Sequence, residues 1–374
     1  MPLLRFRYGA HLSREKVAEL VAPHPDSLEL VFSWLKHNGV PSSSISPTNG
    51  DSWLTVVEVP VSQANTLLGA SYELYYHTST NETILRTVGY ALPAALHVHV
   101  QTVAPTTAFT STRNLQETPR SHASREAAEA VNVTSGEPLD ILSRREEPES
   151  YTEPSFLRWL YDMPFYYPAA TDRNMLGIAG FGNGNPSLID GWWFTRRFRA
   201  DAIAPTVIVV PVNGGVNFQT PASETGNLDT QYSVALTYPT PILYYTIGGR
   251  KQLLPSGEPE LSDRYVQWLL YMINEPVIPQ TISVPYSTKE TDLPLEYTKR
   301  LCVLFAELGA RGVSVLVPSG DDGVGVGKCK NSYGDIQFYT TFPASCTCDF
   351  QSLLGSCALA LAQVAHRIRR SLRH

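Results

Sequence analysis

The sequence predicts an α+β domain of about a hundred residues, followed by an α/β domain built on a mostly parallel sheet with helices on both faces. Three observations predict it. Short helical and alternating stretches crowd residues 11–100, a polar Thr/Ser/Pro/Glu-rich segment follows, and beyond that segment unbroken apolar runs recur with helical stretches between them. Such runs are how parallel strands buried on both faces read, and the stretches between them serve as crossovers. The 374 residues are enough for two domains, and a net charge of -6 argues against a general nucleic-acid binder. No 18-residue apolar run marks a membrane span. Arg5, Arg7 and Arg14 interrupt the amino terminus, which therefore lacks the apolar core of a secretory leader.

In order, His11 to Ala22 and Asp26 to Asn38 read as helices, the first with Ser13 near its start and Pro23 past its end, the second stopping at Gly39. Trp53 to Val59 alternates as a strand, and Ser62 to Leu68 is a short helix. Tyr72 to His77 and Thr83 to Tyr90 make a hairpin around Ser79 to Asn81, and Leu96 to Val100 is a further strand. The segment that follows, with clusters such as Ser-Arg-Arg-Glu-Glu-Pro-Glu-Ser, has no sustained apolar period and reads as a linker open to processing. Pro154 to Tyr161 is helical. Strands are expected at Leu176 to Phe181, Thr206 to Val212, Ile242 to Ile247, Thr281 to Val284 and Val313 to Val317, with helices at Asp229 to Leu236, Ser262 to Asn274 and Leu295 to Leu308.

Two stretches carry chemistry. Val313 to Val317 ends in Ser-Gly-Asp-Asp-Gly, which delivers Asp321 and Asp322 to the carboxyl end of a strand, the edge where ligands sit in open α/β sheets. Ser223 to Pro241 places Glu224 and Asp229 at the start of a helix, where a carboxylate pair can supply a base and its orienting partner. The two are five residues apart, about 140° around a helix, so they converge only if Glu224 lies on a non-helical first turn. A capping carboxylate at the positive end of the helix dipole is the plainer role for such a residue. Cysteines 302, 329, 346, 348 and 357 all fall in the last fifth of the chain. Cys346 and Cys348 lack a second cysteine pair or a histidine cluster, so zinc has little support, and disulfide pairing is left open. Sequons at Asn81 and Asn132 matter only in a secreted chain.

Several motifs occur in a fixed order: HLSREKVAELVAPHPDSLELVFSWL, PSFLRWLYDMP, LGIAGF, NLDTQYSVALTYPTP, EYTKRLCVLFAELGARGVSVLVPSGDDGVG and FPASC. In these the chain resembles a fungal sedolisin, a serine-carboxyl peptidase of the tripeptidyl-peptidase type. The resemblance implies a ferredoxin-like activation domain over residues 1–103, a linker with the processing region over 104–153, a partial subtilisin-like peptidase domain over 154–346 and a divergent tail over 347–374. It further implies a secreted, extracellular acid peptidase acting on polypeptide substrates and an intramolecular contact between activation and peptidase domains. Asp229 matches the aspartate that orients the catalytic glutamate, and Asp321 that of the oxyanion hole. The family pattern Glu-x-x-Leu-Asp puts its glutamate at position 225, where this chain has Thr225, with Glu224 one residue earlier as the candidate base.

Acids suit such a site because glutamate is still an ionised base near pH 4, where histidine is already protonated. The oxyanion aspartate must instead stay protonated to donate a hydrogen bond. The family nucleophile sits in Gly-Thr-Ser-x-Ser-x-Pro, which does not occur in these residues; Ser356, in Leu-Gly-Ser-Cys-Ala, lacks the flanking Thr and Pro. The expectation is a precursor without its nucleophile and without the calcium that full-length relatives carry further on. As a polypeptide of 374 residues it is expected to be inactive. A second expectation is that its activation domain binds or inhibits a full-length relative.

Overall fold

Strong local signals set the elements of the amino-terminal part. In this computed structural model the residues described are 10–48, 52–76, 83–109, 152–181, 184–248, 252–253, 259–260, 264–318 and 340–346. Helix α1 (Arg14–Val21) starts where the Ser13 side chain accepts from the Lys16 amide, and α2 (Pro25–His37) starts on His24 with proline at its first position. Strands β1 (Ile45–Thr48) and β2 (Trp53–Val56) pair antiparallel, α3 (Val61–Leu68) ends on Gly69, and β3 (Glu73–Tyr76) pairs antiparallel with β4 (Thr83–Arg86). Among the described residues the two pairs form separate sheets. Leu35, Val40 and Ile45 form a small core against which Val31, Phe32, Trp34, Val59 and Leu67 pack. The strand expected at Leu96 to Val100 is instead a turn of 3-10 helix at Ala94–Leu96, because Pro93 opens it and its amides bond back locally.

The carboxyl-terminal part runs α4 (Pro154–Leu160), β5 (Leu176–Phe181), α5 (Leu188–Phe198), β6 (Val207–Val212), α6 (Glu224–Thr237), β7 (Ile242–Ile247), β8 (Gln252–Leu253), β9 (Pro259–Glu260), α7 (Arg264–Asn274), β10 (Thr281–Ser283), β11 (Thr288–Lys289), α8 (Leu295–Ala310), β12 (Ser314–Leu316) and β13 (Thr341–Phe342). Strands β12, β10, β5, β7 and β6, in that order, form one five-stranded sheet, and each neighbouring pair is parallel. The chain leaves β5 toward β6, returns to β7, then crosses to β10 and β12 on the other side. Successive connections thus diverge between β5 and β10, and the crevice at their carboxyl ends is the ligand position of such sheets.

Alternation along β7 sorts the core into two layers. Ile242 and Tyr244 face α6, packed with Ile178 and Val234. Tyr245 and Ile247 face α7 and α8, packed with Phe181, Trp268, Leu301 and Leu304. A disulfide joins Cys302 on α8 to Cys346, so the first cysteine of the Cys-x-Cys pair is taken and is no thiolate for zinc. The amino-terminal part rests on α7 and α8. The Leu12 amide donates to Ala310 O at 2.9 Å, the Arg14 guanidinium to Asn274 O at 2.9 Å, and the Arg300 guanidinium to Ser52 Oγ at 3.0 Å.

Candidate active site

Helix α6 begins at the carboxyl edge of the sheet, and its first turn is fixed against the loop that leaves β5. Ser223 Oγ accepts from the Gly226 amide at 2.8 Å while the Ser223 amide donates to Asn185 O at 2.9 Å. A side chain at 226 would meet the Asn185 carbonyl group at 2.8 Å, so the approach needs glycine there. The helix is regular from its first residue, and Glu224 is that residue.

This decides where the candidate carboxyl groups point. Glu224 is exposed at the positive end of the helix, in the position of a dipole-stabilising acid. Asp229, one and a half turns on, lies on a different face, because no non-helical first turn brings Glu224 round to it. The residue sharing its face is Thr225, four positions earlier and only 8% exposed. Asp321, with Asp322, lies outside the described residues, as do Asn81, Asn132, Ser356 and the tail over 347–374.

Asp229 is the electrostatically unusual group. Burial pushes its carboxyl up to about 7 from an ordinary 3.8, and its Oδ2 has no hydrogen-bond partner. At acid pH it is therefore neutral. Tyr244, fully buried on β7, has a hydroxyl that likewise has no hydrogen-bond partner, and its pKa is raised by burial first, then by the charges of Tyr286 and Asp229. Tyr286, past the end of β10, donates to Phe181 O at 3.4 Å. Tyr244 and Tyr286 do not stand out in the sequence, where a tyrosine on a buried strand reads as core. Their signal is visible only once Gly180 and Gly184 are seen to make room for them. Among the described residues no group of three or more His, Cys, Asp or Glu side chains is placed to hold a metal ion. No described helix is long and apolar enough to cross a membrane.

Comparisons with known proteins bear on the same elements. Residues 5–109 match the family described as Pro-kumamolisin, activation domain. The probable tripeptidyl-peptidase SED3 of Trichophyton verrucosum is 32% identical over 91% of this chain and 56% of its own length. Tripeptidyl-peptidase SED2 of Arthroderma otae is 32% identical over 91% of this chain and 57% of its own length. The chain thus spans little more than half the length of these relatives. A solved Pseudomonas sedolisin (serine-carboxyl proteinase), complexed with pseudo-iodotyrostatin, aligns with 52% of this chain and 51% of its own at 21% identity and a TM-score of 0.37.

Proposed function

We propose that this chain, which belongs to the sedolisin family, is the precursor portion of a secreted acid serine-carboxyl peptidase: an activation domain seated on the amino-terminal half of a peptidase domain, with Asp229 as the site's aspartate and Asp321 as the oxyanion donor. The observation that carries the proposal is the placement of Asp229. It is half-buried in the second turn of α6, near the carboxyl edge of a parallel sheet, with its Oδ2 out of reach of solvent and its carboxyl pushed up to about 7. The role of base is the open position on this face. Glu224 points elsewhere, and Thr225 occupies the place where the family carries its glutamate. Glu224 serves as base beside Asp229 in a complete site only if the first turn of α6 rearranges. The Cys302–Cys346 disulfide supports an extracellular setting, since such bonds persist in oxidising compartments. On the family pattern calcium is bound by a later segment, further along the chain than the nucleophile serine.

With the family's serine segment in register behind residue 346, the protein should release tripeptides near pH 4, and Asp229→Ala should lower kcat by roughly 100-fold or more. Activity unchanged in that variant would remove the proposal. The contacts from Leu12, Arg14 and Ser52 onto α7 and α8 favour a second reading, in which the activation domain occupies a relative's equivalent surface. In that case purified residues 1–374 cleave neither casein nor tripeptide substrates at acid pH, yet suppress an active relative. Absence of suppression at every pH would dismiss it.

A further inference from the structure

Helix α5 turns an apolar face to solvent. Ile189, Trp192 and Trp193 recur at the three- and four-residue spacing of one helix face, and all are exposed, Ile189 and Trp193 at 67% and 63%. The two indole rings meet edge to face at 4.7 Å. A single exposed apolar side chain is ordinary, whereas a contiguous stripe of them marks a binding surface. The packing face of α5 is a separate one. Thr195 is buried there, and the Phe194 ring lies 5.3 Å from that of Tyr232 on α6. The stripe also continues past the start of the helix toward the candidate site. The Leu188 amide donates to Gln219 Oε1 at 3.0 Å, which brings exposed Leu188 to exposed Phe218, and the Ser187 amide donates to Asn227 Oδ1 at 2.8 Å, beside exposed Leu228. Leu228 directly precedes Asp229, so the apolar surface runs from the carboxyl edge of the sheet down the length of α5.

The far end of the stripe is cationic. The Arg196 guanidinium lies over the Trp192 ring at 4.7 Å and that of Arg197 over the Phe198 ring at 5.3 Å. Both arginines are exposed, and among the described residues neither is paired with a carboxylate. We propose that this face of α5 is an exosite for polypeptide substrate, on which an unfolded apolar stretch lies along Ile189, Trp192 and Trp193 with an acidic side chain of that stretch against Arg196 and Arg197. The proposal rests on the peptidase reading, which supplies a polypeptide as the occupant, and the continuity through Leu188 and Leu228 supplies the path from the held stretch to the site. Indole rings offer large contact area at little cost in side-chain entropy, and they accept many apolar sequences, as a surface that holds unfolded chain requires. Charge favours such a partner over a second copy of this chain. A copy brings the same two arginines, and the one carboxylate on its α5, Asp190, is already engaged by the Asn227 side chain at 2.9 Å.

The test is a fluorescence-anisotropy titration of labelled casein, an unfolded acidic polypeptide with apolar stretches, with the full chain. It is compared with the double variant Ile189→Ser, Trp193→Ser and with Ile203→Ser, which alters an exposed apolar residue outside the stripe. All three replaced side chains are exposed, so the variants should keep the fold, and circular dichroism checks that they do. Casein should bind saturably in the micromolar range, at least about tenfold more weakly in the double variant and unchanged in Ile203→Ser. Salt should weaken the binding, since part of it is charge. No binding up to about 100 μM, or an affinity within about twofold in the double variant, overturns the proposal. So does self-association, or binding to phospholipid vesicles, that the double variant abolishes while casein stays free, because the face then belongs to a second copy or to a membrane surface. Binding is read without turnover. A chain that holds casein on α5 and in its complete form cleaves nothing removes the peptidase reading alone, and one that cleaves casein while the double variant holds it equally well removes the exosite alone.

Discussion

Asp229 makes the stability of the whole chain depend on pH in a direction opposite to most carboxylates. Its folded-state value, about 7, lies above the ordinary 3.8, so between those values the native state holds a proton that the unfolded chain has released. The contribution is fully present below about pH 4 and is lost as pH rises through about 7. By linkage it amounts to at most roughly 4 kcal/mol. Urea midpoints measured from pH 4 to 7 should therefore fall with rising pH, and Asp229→Asn should flatten most of that slope. A slope unchanged in the variant would place the proton elsewhere. Position 229 stood out in the sequence as one of two carboxyl groups near the start of a helix, with Glu224 as the other. The sequence also showed that position 224 is about 140° away on a regular helix. It did not show that Ser223 and Asn185 would make the helix regular from Glu224 onward, since that depends on a contact with a loop some forty positions earlier in the chain.

The core strands were legible as elements. Leu176–Phe181 and Ile242–Ile247 appear where their unbroken apolar runs put them, because a strand covered on both faces has no polar position to blur its ends. Helix α5 was not legible. Its large apolar residues Ile189, Trp192 and Trp193 are exposed, so no apolar stripe marks it, and what defines it is the Ser187 side chain accepting from the Asp190 amide. The carboxyl ends of α4, α5 and α6 meet around two buried arginines. Arg158, in the last turn of α4, donates to Pro164 O at 3.1 Å and Tyr166 O at 2.8 Å. Arg199, just past α5, pairs with Asp201 at 2.7 Å and donates to Ala235 O in the last turn of α6, and both guanidiniums stack on Tyr167. Two like charges share this small volume, and the negative ends of the helix dipoles help to offset their repulsion. Arg199→Met removes the donor from a buried carbonyl while keeping the apolar stem. It should cost about 1–3 kcal/mol in chemical denaturation. A loss well under about 0.5 kcal/mol would mean that Arg158 and the dipoles hold the junction without it.

At the scale of the molecule, the described contacts between the two halves fall on α7 and α8: polar ones from Leu12, Arg14 and Ser52, and apolar packing of Trp53 and Ala104 on the main core. Trp53 packs on the main core of the carboxyl-terminal half, and the Arg300 guanidinium lies over its ring at 5.8 Å while reaching Ser52 Oγ. Burial lowers the Arg300 pKa, with Glu307 on the same helix acting the other way, so this cation is held at a desolvation cost that the contacts from residues 52 and 53 help to offset. The two halves thus dock through backbone and guanidinium donors together with apolar packing at Trp53 and Ala104, and with the His11 ring close over Gly312. Arg300→Ala should weaken that docking without unfolding either half. Amide exchange should accelerate at Leu12 and through Trp53–Val56, whose bonds and packing cross the junction, while the central amides of β5 and β7 keep their protection. Exchange that rises equally in β5 and β7 would show that Arg300 supports the carboxyl-terminal fold itself, and exchange unchanged at Leu12 and Trp53 would show that the halves are held together elsewhere.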